Sequence, residues 1–170
     1  MNLLLQPTTE ADLAFIVARE LDADTAPYIL PWPEDRHRQA MADPDCAHLV
    51  AWDGARSRRL GFAILFGLAS SHQSVELRRL ASASRGEGVG RAMLRAIKAR
   101  IFETTDTHRL WLDVKAGNAR ARHLYRSEGF VEEGVMRDCL REGARRESLV
   151  LMSVLRPEYL ATVPGSASQH

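Results

Sequence analysis

An α+β fold follows from three features of the sequence. Residues 75–102 run from a strand through a glycine-rich turn into a helix, and a second strand at 110–114 precedes another helical stretch. The remaining apolar runs are mostly of strand length, bounded by Pro, Gly and Asp. A chain of 170 residues with 45% apolar content can bury one proper core and leaves little room for a second. Residues 1–160 therefore read as a single domain, and the small, polar stretch 161–170 reads as a loose tail.

The elements follow in order. Residues 2–6 are a short apolar strand that Pro7-Thr8-Thr9 ends. Thr9 and Asp12 make a pair of the capping-box kind ahead of Leu13, Ile16, Val17 and Leu21, which share one helical face. Residues 22–33 contain Pro27, Pro31 and Pro33, and the Pro31-Trp32-Pro33 run cannot continue a helix, so a loop is expected. A second helix is predicted at 34–42, then strands at 48–52, 60–68 and 74–81 as a meander. The strand at 60–68 is almost wholly apolar, as a central strand should be. A third helix carries Val89, Met93, Ile97 and Ile101 at i, i+4 spacing. A fourth, at 118–128, puts Ala121, Leu124 and Tyr125 on one face and stops at Gly129. A strand from Phe130, a turn at 141–144 and a strand at 147–155 complete the chain.

The turn reads Arg85-Gly86-Glu87-Gly88-Val89-Gly90-Arg91. Alternating glycines remove side chains where backbone amides must converge. The first-turn amides of the following helix lack internal partners and lie at the positive end of its dipole, which suits a phosphate or pyrophosphate. The dinucleotide fingerprint needs a third glycine where Arg91 or Met93 stands, and the ATP loop needs Gly-Lys-Ser/Thr, which is absent. What fits is Arg-x-x-Gly-x-Gly, as Arg85, Gly88 and Gly90.

Downstream, Leu110-Trp111-Leu112-Asp113-Val114 is followed by Asn118-Ala119-Arg120-Ala121-Arg122-His123-Leu124-Tyr125 and then Gly129-Phe130. Together with the glycine turn, this resembles the GNAT superfamily of acetyl-CoA-dependent N-acetyltransferases, nearest its ribosomal-protein acetyltransferase branch. The glycine turn is similar to that family's motif A and the Asn-to-Tyr helix to its motif B. The resemblance covers about residues 3–155. It implies an α+β (α/β) GNAT fold, with a mixed, mostly antiparallel central sheet of about seven strands flanked by about four helices. It also implies direct transfer of an acetyl group from acetyl-CoA to a primary amine in a ternary complex.

Site residues follow from the resemblance. The pyrophosphate would sit on the amides of Arg85, Gly86, Glu87, Gly88, Val89, Gly90 and Arg91, and the pantetheine arm along Leu80, Ala81 and Ser82, whose strand would also present amides to the thioester oxygen. Asn118 is either a helix N-cap, a partner of pantetheine, or both. Glu76, in the strand before the turn, is the candidate base and would contact the amine; the competing reading is that it only pairs with Arg78. Tyr125 is the candidate acid for the departing thiolate, with a core tyrosine as the alternative. Tyr28 is placed at the acceptor entrance; Trp32 either packs under its loop or lines the acceptor pocket.

Net charge is +1, and 21 arginines and two lysines are interleaved with 22 carboxylates, so no bulk field favours nucleic acid or an anionic membrane. Cys46 and Cys139 lack metal spacing, as do the six histidines, and no apolar run approaches a membrane span. A cytoplasmic monomer or homodimer is expected, with no metal. Asp22, Asp24, Glu34, Asp35, Asp43 and Asp45 outnumber Arg36 and Arg38 in the segment covering the acceptor side. They predict either a rim attracting a small cationic amine or peptide N-terminus, or merely a solvated loop. The alternative to an enzyme is a non-catalytic acetyl-CoA-binding sensor or assembly module.

Overall fold

A computed structural model describes residues 2–84 and 86–163. Seven strands, β1 (Leu3–Pro7), β2 (Cys46–Asp53), β3 (Arg59–Phe66), β4 (Ser74–Ser82), β5 (Arg109–Lys115), β6 (Val131–Glu142) and β7 (Arg145–Leu155), form one sheet in the order β1-β2-β3-β4-β5-β7-β6. β4 and β5 pair in parallel, and the other described neighbours are antiparallel. The mixed, mostly antiparallel sheet expected from the resemblance is therefore present. Residues 60–65 of β3 are buried on both faces, which is why that stretch shows no polar alternation.

Helices cover both faces. On one side α3 (Val89–Thr104) lays Val89, Met93, Leu94, Ile97, Ile101 and Phe102 on Leu49, Ala63, Leu65, Val75, Leu77 and Leu110 of the sheet. The i, i+4 stripe is the physical cause: it brings every large apolar group of the helix to the face that leaves water. On the other side α1 (Leu13–Leu21) and α2 (Glu34–Ala42) cover Val50, Phe62 and Ile64. α1 is entered through a short 3₁₀ turn, Glu10–Asp12, where the Thr9 amide and hydroxyl both donate to Asp12 Oδ2 at 2.8 Å. α4 (Ala119–Ser127) follows β5.

With α5 (Arg156–Thr162) the helices number five among the described residues, in keeping with the about four expected. Tyr159 of α5 stacks on Phe102 at 5.1 Å and its hydroxyl donates to Glu103 at 2.5 Å. That tertiary anchor holds seven residues whose own helical tendency is too short to stand alone. The rest of the expected tail, 164–170, lies outside the described residues.

Two irregularities place the site. Ile64 pairs with Arg79 but Leu65 pairs with Leu77, so Arg78 is an extra residue bulged out of β4. Because side chains alternate, one extra residue reverses the faces: Val75 and Leu77 point to α3, whereas Arg79 points to the opposite side, toward Glu20 and Trp32. The second irregularity is that β4 and β5 pair only over Ser74↔Arg109, Val75↔Leu110 and Glu76↔Trp111. Beyond this each follows its other neighbour, β4 with β3 as far as Ser82 and β5 with β7 as far as Lys115, and the two strands part.

Candidate active site

The parting strands leave a cavity of about 630 Å³ between residues 77–84 on one side and 113–115 on the other, with α4 and the loop after α1 completing its walls. The glycine turn lies at one end. Gly86 (φ +80°) and Gly88 (φ +73°) are both in the left-handed region, and a Cβ at either would meet no atom within 4 Å. Glycine is thus required there by backbone conformation rather than by crowding. α3 has Gly88 as its N-cap, no side chain caps it, and its first helical bond is Ala92 N–H to Gly88 O at 3.0 Å. The amides of Val89, Gly90 and Arg91 therefore have no intrahelical acceptor, and all three residues line the cavity.

Of the residues expected around a coenzyme, Leu80, Ala81, Ser82, Gly86, Gly88, Val89, Gly90, Arg91, Asn118 and Tyr125 all line this cavity. Glu87 lies beside it, its carboxylate accepting from Ser84 Oγ at 2.9 Å and its body lining a neighbouring 370 Å³ hollow. Arg85 lies outside the described residues. Asn118 is an N-cap in fact, Oδ1 accepting the Ala121 amide at 3.1 Å, while it also lines the cavity.

α4 is held against α3 by one buried carboxylate. Glu128, at the α4 C-cap, receives Arg91 Nη1 at 2.5 Å and Arg95 Nε at 3.0 Å, and Lys98 Nζ donates to its backbone oxygen at 2.6 Å. Burial works to raise its pKa, but the hydrogen bonds from Arg95 and Arg91 and the Lys98 charge prevail and hold it below its ordinary value. This cluster joins the end of α4, the helix that carries Tyr125, to α3. Tyr125 leans on Phe130 at 5.7 Å, and its phenol is pushed up to about 12 by burial and by the Asp113 charge.

The acceptor end differs from the sequence expectation in three ways. Glu76 grips Arg78 through two bonds, at 2.6 and 2.5 Å, and does not line the cavity. The reason is register: Glu76 still belongs to the paired part of β4 and β5, and the cavity begins one residue later. Trp32 does not line it either. The residue is 6% exposed, with Arg36 at 4.1 Å and Arg79 at 4.3 Å over its ring, and its amide donates to buried Glu20 at 2.6 Å. Trp32 is thus a core residue; Tyr28 does stand at the cavity.

The third difference is that the six-carboxylate rim does not assemble. Glu34 and Asp35 hold Arg38, Asp43 accepts the Asp45 amide, and Asp45 accepts the amides of Gly67 and Ala69. Asp22 pairs with Arg19 at 2.5 Å, and of the six only Asp24 lines the cavity. These acids serve local turns and helix ends, where carboxylates find amides and guanidinium groups close by.

Besides Asp24 of the loop, a carboxylate of the sheet reaches the cavity, Asp113 of β5. Leu112 and Val114 enter the core, so Asp113 lies on the opposite face of the sheet, just past the point where the strands part. Burial raises its pKa above the ordinary value and the Glu76 charge adds to this, against a weaker opposite pull from Arg78. Asp113 is open to solvent, between the buried Leu112 and Val114. A signal for it exists in the sequence: a lone carboxylate alternating with Leu112 and Val114 in a strand is as anomalous as Glu76 is in β4.

Residues 15–130 match the acetyltransferase (GNAT) family. A spermidine N(1)-acetyltransferase of Vibrio cholerae is 28% identical over 109 residues, 64% of this chain and 63% of that protein, so less than two thirds of that relative is spanned. The crystal structure of a V. cholerae spermidine N-acetyltransferase with CoA and spermine superposes with a TM-score of 0.84, at 24% identity over 94% of this chain and 98% of that one. A dodecameric structure of the same kind of enzyme from V. cholerae gives 0.79, at 24% identity over 94% and 96%. At these identities the structural likeness is one of fold.

Proposed function

The chain belongs to the acetyltransferase (GNAT) family, and on that premise we propose that it is an N-acetyltransferase moving the acetyl group of acetyl-CoA directly to a primary amine, with a small cationic polyamine as the acceptor. The observation that carries this is the cavity itself: an anion-suited turn at one end, and a raised aspartate and a raised tyrosine facing the same space at the other. The V. cholerae relatives that act on spermidine support the choice of acceptor class. A peptide α-amino group is the comparison substrate.

Acetyl-CoA supplies the activated acyl group. Its pyrophosphate suits the uncapped amides of α3, and an extended pantetheine suits the edge of β4 that β5 has left, along Leu80, Ala81 and Ser82. A primary ammonium with pKa near ~10.4 is almost fully protonated at neutral pH and cannot attack until it loses a proton. Asp113 takes that proton, and its raised pKa brings it nearer the working pH than an ordinary aspartate. Tyr125, protonated at any physiological pH, donates to the thiolate as the C–S bond breaks, and the proton that the new amide nitrogen sheds restores the phenol. Glu76 keeps Arg78 in place beside Asp113 rather than acting on the amine. Neither cysteine lines the cavity, and burial pushes Cys46 up to about 12, which supports direct transfer over an acyl-cysteine.

Thiol release is the test. Acetyl-CoA with a polyamine should give sustained amine-dependent thiol, more slowly with a peptide N-terminus and slowest with an anionic amine. Coenzyme binding without thiol release from any amine would favour a sensor or assembly module instead. A cytoplasmic location fits this substrate, and no helix among the described residues is long and apolar enough to cross a membrane. Sedimentation decides between the expected monomer or homodimer and a larger assembly of the kind that a V. cholerae relative forms.

A further inference from the structure

The loop between α1 and α2 crosses the open side of the cavity, where Tyr28, Ile29 and Leu30 line it, and it is held there by its backbone oxygens. From the β4 side, Arg79 Nη2 donates to Leu30 O at 2.8 Å. From the β5 side, Lys115 Nζ donates to Pro27 O at 2.8 Å and also binds Glu142 at the end of β6. One strap is thus tied to both strands that part beneath it, and Tyr28 and Ile29 lie between the two ties.

The ties are unequal in kind. Arg79 is locked into the core by Glu20 and Trp32, so its end of the strap is permanent. Lys115 is the last residue of β5, and its flexible ammonium is shared between a carbonyl of the strap and a carboxylate of the β6–β7 hairpin. It therefore joins two elements that reach the cavity mouth from different parts of the chain. Removing the ammonium would free both and leave a carboxylate without its cation at the mouth.

We propose that Lys115 is a positioning residue that sets the width of the acceptor entrance by tying the strap at Pro27 to the hairpin at Glu142. The proposal rests on the acetyl-transfer reading for its consequence but not for its structural content. Lys115 selects slender amines by keeping Tyr28 and Ile29 close to the hairpin, and it takes no proton in the reaction.

Lys115→Met, which keeps the length of the side chain and removes its charge, tests this in two ways. Hydrogen exchange at the Tyr28 and Ile29 amides, which donate to Thr25 O at 2.9 and 3.2 Å, should accelerate about tenfold while the amides of α3 do not change. The ratio of kcat/KM for a branched amine to that for a linear one should rise about fivefold, with acetyl-CoA affinity unchanged. Lys115→Arg should restore both readouts, and Glu142→Gln combined with Lys115→Met should add little to either. Unchanged exchange in the strap, faster exchange throughout the protein, or an unchanged amine ratio would each overturn the proposal. If the parent protein releases thiol with none of the amines, the acetyl-transfer reading fails instead; the exchange data and calorimetric binding of the same two amines then decide whether Lys115 sets the entrance.

Discussion

At the glycine-turn end of the cavity, where the phosphates are proposed to bind, the polar groups on offer are backbone amides, brought together by Gly86, Gly88 and the start of α3 within one short stretch of chain. At the end proposed to take the acceptor they are side chains from separate elements: Asp113 from β5, Tyr125 from α4, and Tyr28 from a strap that Arg79 and Lys115 hold. The first end is robust to substitution of most side chains, because amides belong to nearly every residue and only the left-handed positions demand glycine. The second depends on register, bulge and ion pairing, so single side chains decide it. A local device suits the part of the reaction common to a family, and an assembled one selects the part that varies.

The sharpest way to break this contrast is at Asp113. Asp113→Asn should lower kcat by on the order of 10³-fold at neutral pH and less at high pH, where the amine deprotonates unaided. The sign for stability is opposite. A carboxyl raised in the folded state weakens the fold once pH passes its unfolded pKa, so the asparagine variant should melt higher than the parent at neutral pH. A variant that melts lower and turns over normally would remove Asp113 from the reaction.

Gly88→Glu attacks the other end. A non-glycine residue at φ +73° is strained, and the new carboxylate would oppose the phosphates, so acetyl-CoA affinity should fall by on the order of 10²-fold in calorimetry on folded protein. Equal affinity in parent and variant would end the assignment of the turn. Tyr125→Phe should reduce kcat by on the order of 10²-fold with acetyl-CoA affinity and Tm retained, since only a hydroxyl leaves. A parallel fall in Tm would mark the tyrosine as core.

Glu76→Gln is a smaller perturbation, expected to cost about fivefold in kcat/KM, the equivalent of ~1 kcal/mol for a partly exposed ion pair. A loss exceeding that of Asp113→Asn would return the base to Glu76. The smallest effect lies away from the cavity. Burial, helped by the neighbouring His37, lowers His48 from 6.5 to about 4, and Thr8 and His37 bond its ring at 2.8 and 3.0 Å. A depressed histidine pKa contributes stability above the unfolded value that is lost as pH falls, so Tm should decline between pH 6.5 and about 4, and His48→Gln should flatten that stretch of the curve.

Much of the molecule is legible in its residues because the forces involved are local. Apolar periodicity places α3, the Thr9–Asp12 pair marks the approach to α1, and the order of strands and helices agrees with the observed sheet. The two motifs around Gly88 and Tyr125 point to the family and to most of the cavity lining. The carboxylate proposed as base is not legible in the same way, since Glu76 and Asp113 each stand as a lone carboxylate between apolar residues of a strand. Neither strand alone reveals where the two cease to pair, and that point leaves Glu76 inside the ladder and Asp113 beyond it.

Order along the chain was thus enough for whatever depends on near neighbours: the left-handed glycines, the uncapped start of α3, the apolar faces and the class of fold. Contacts between distant segments settled the rest. The bulge at Arg78 turns Arg79 toward Glu20 and buries Trp32, the parting of β4 from β5 opens the cavity at Asp113, and Lys115 reaches Pro27 across it. A strand's register is set by the sum of contacts along its whole length, so shifting it by one residue exchanges every inward side chain for an outward one. No single residue in β4 or β5 carries that information.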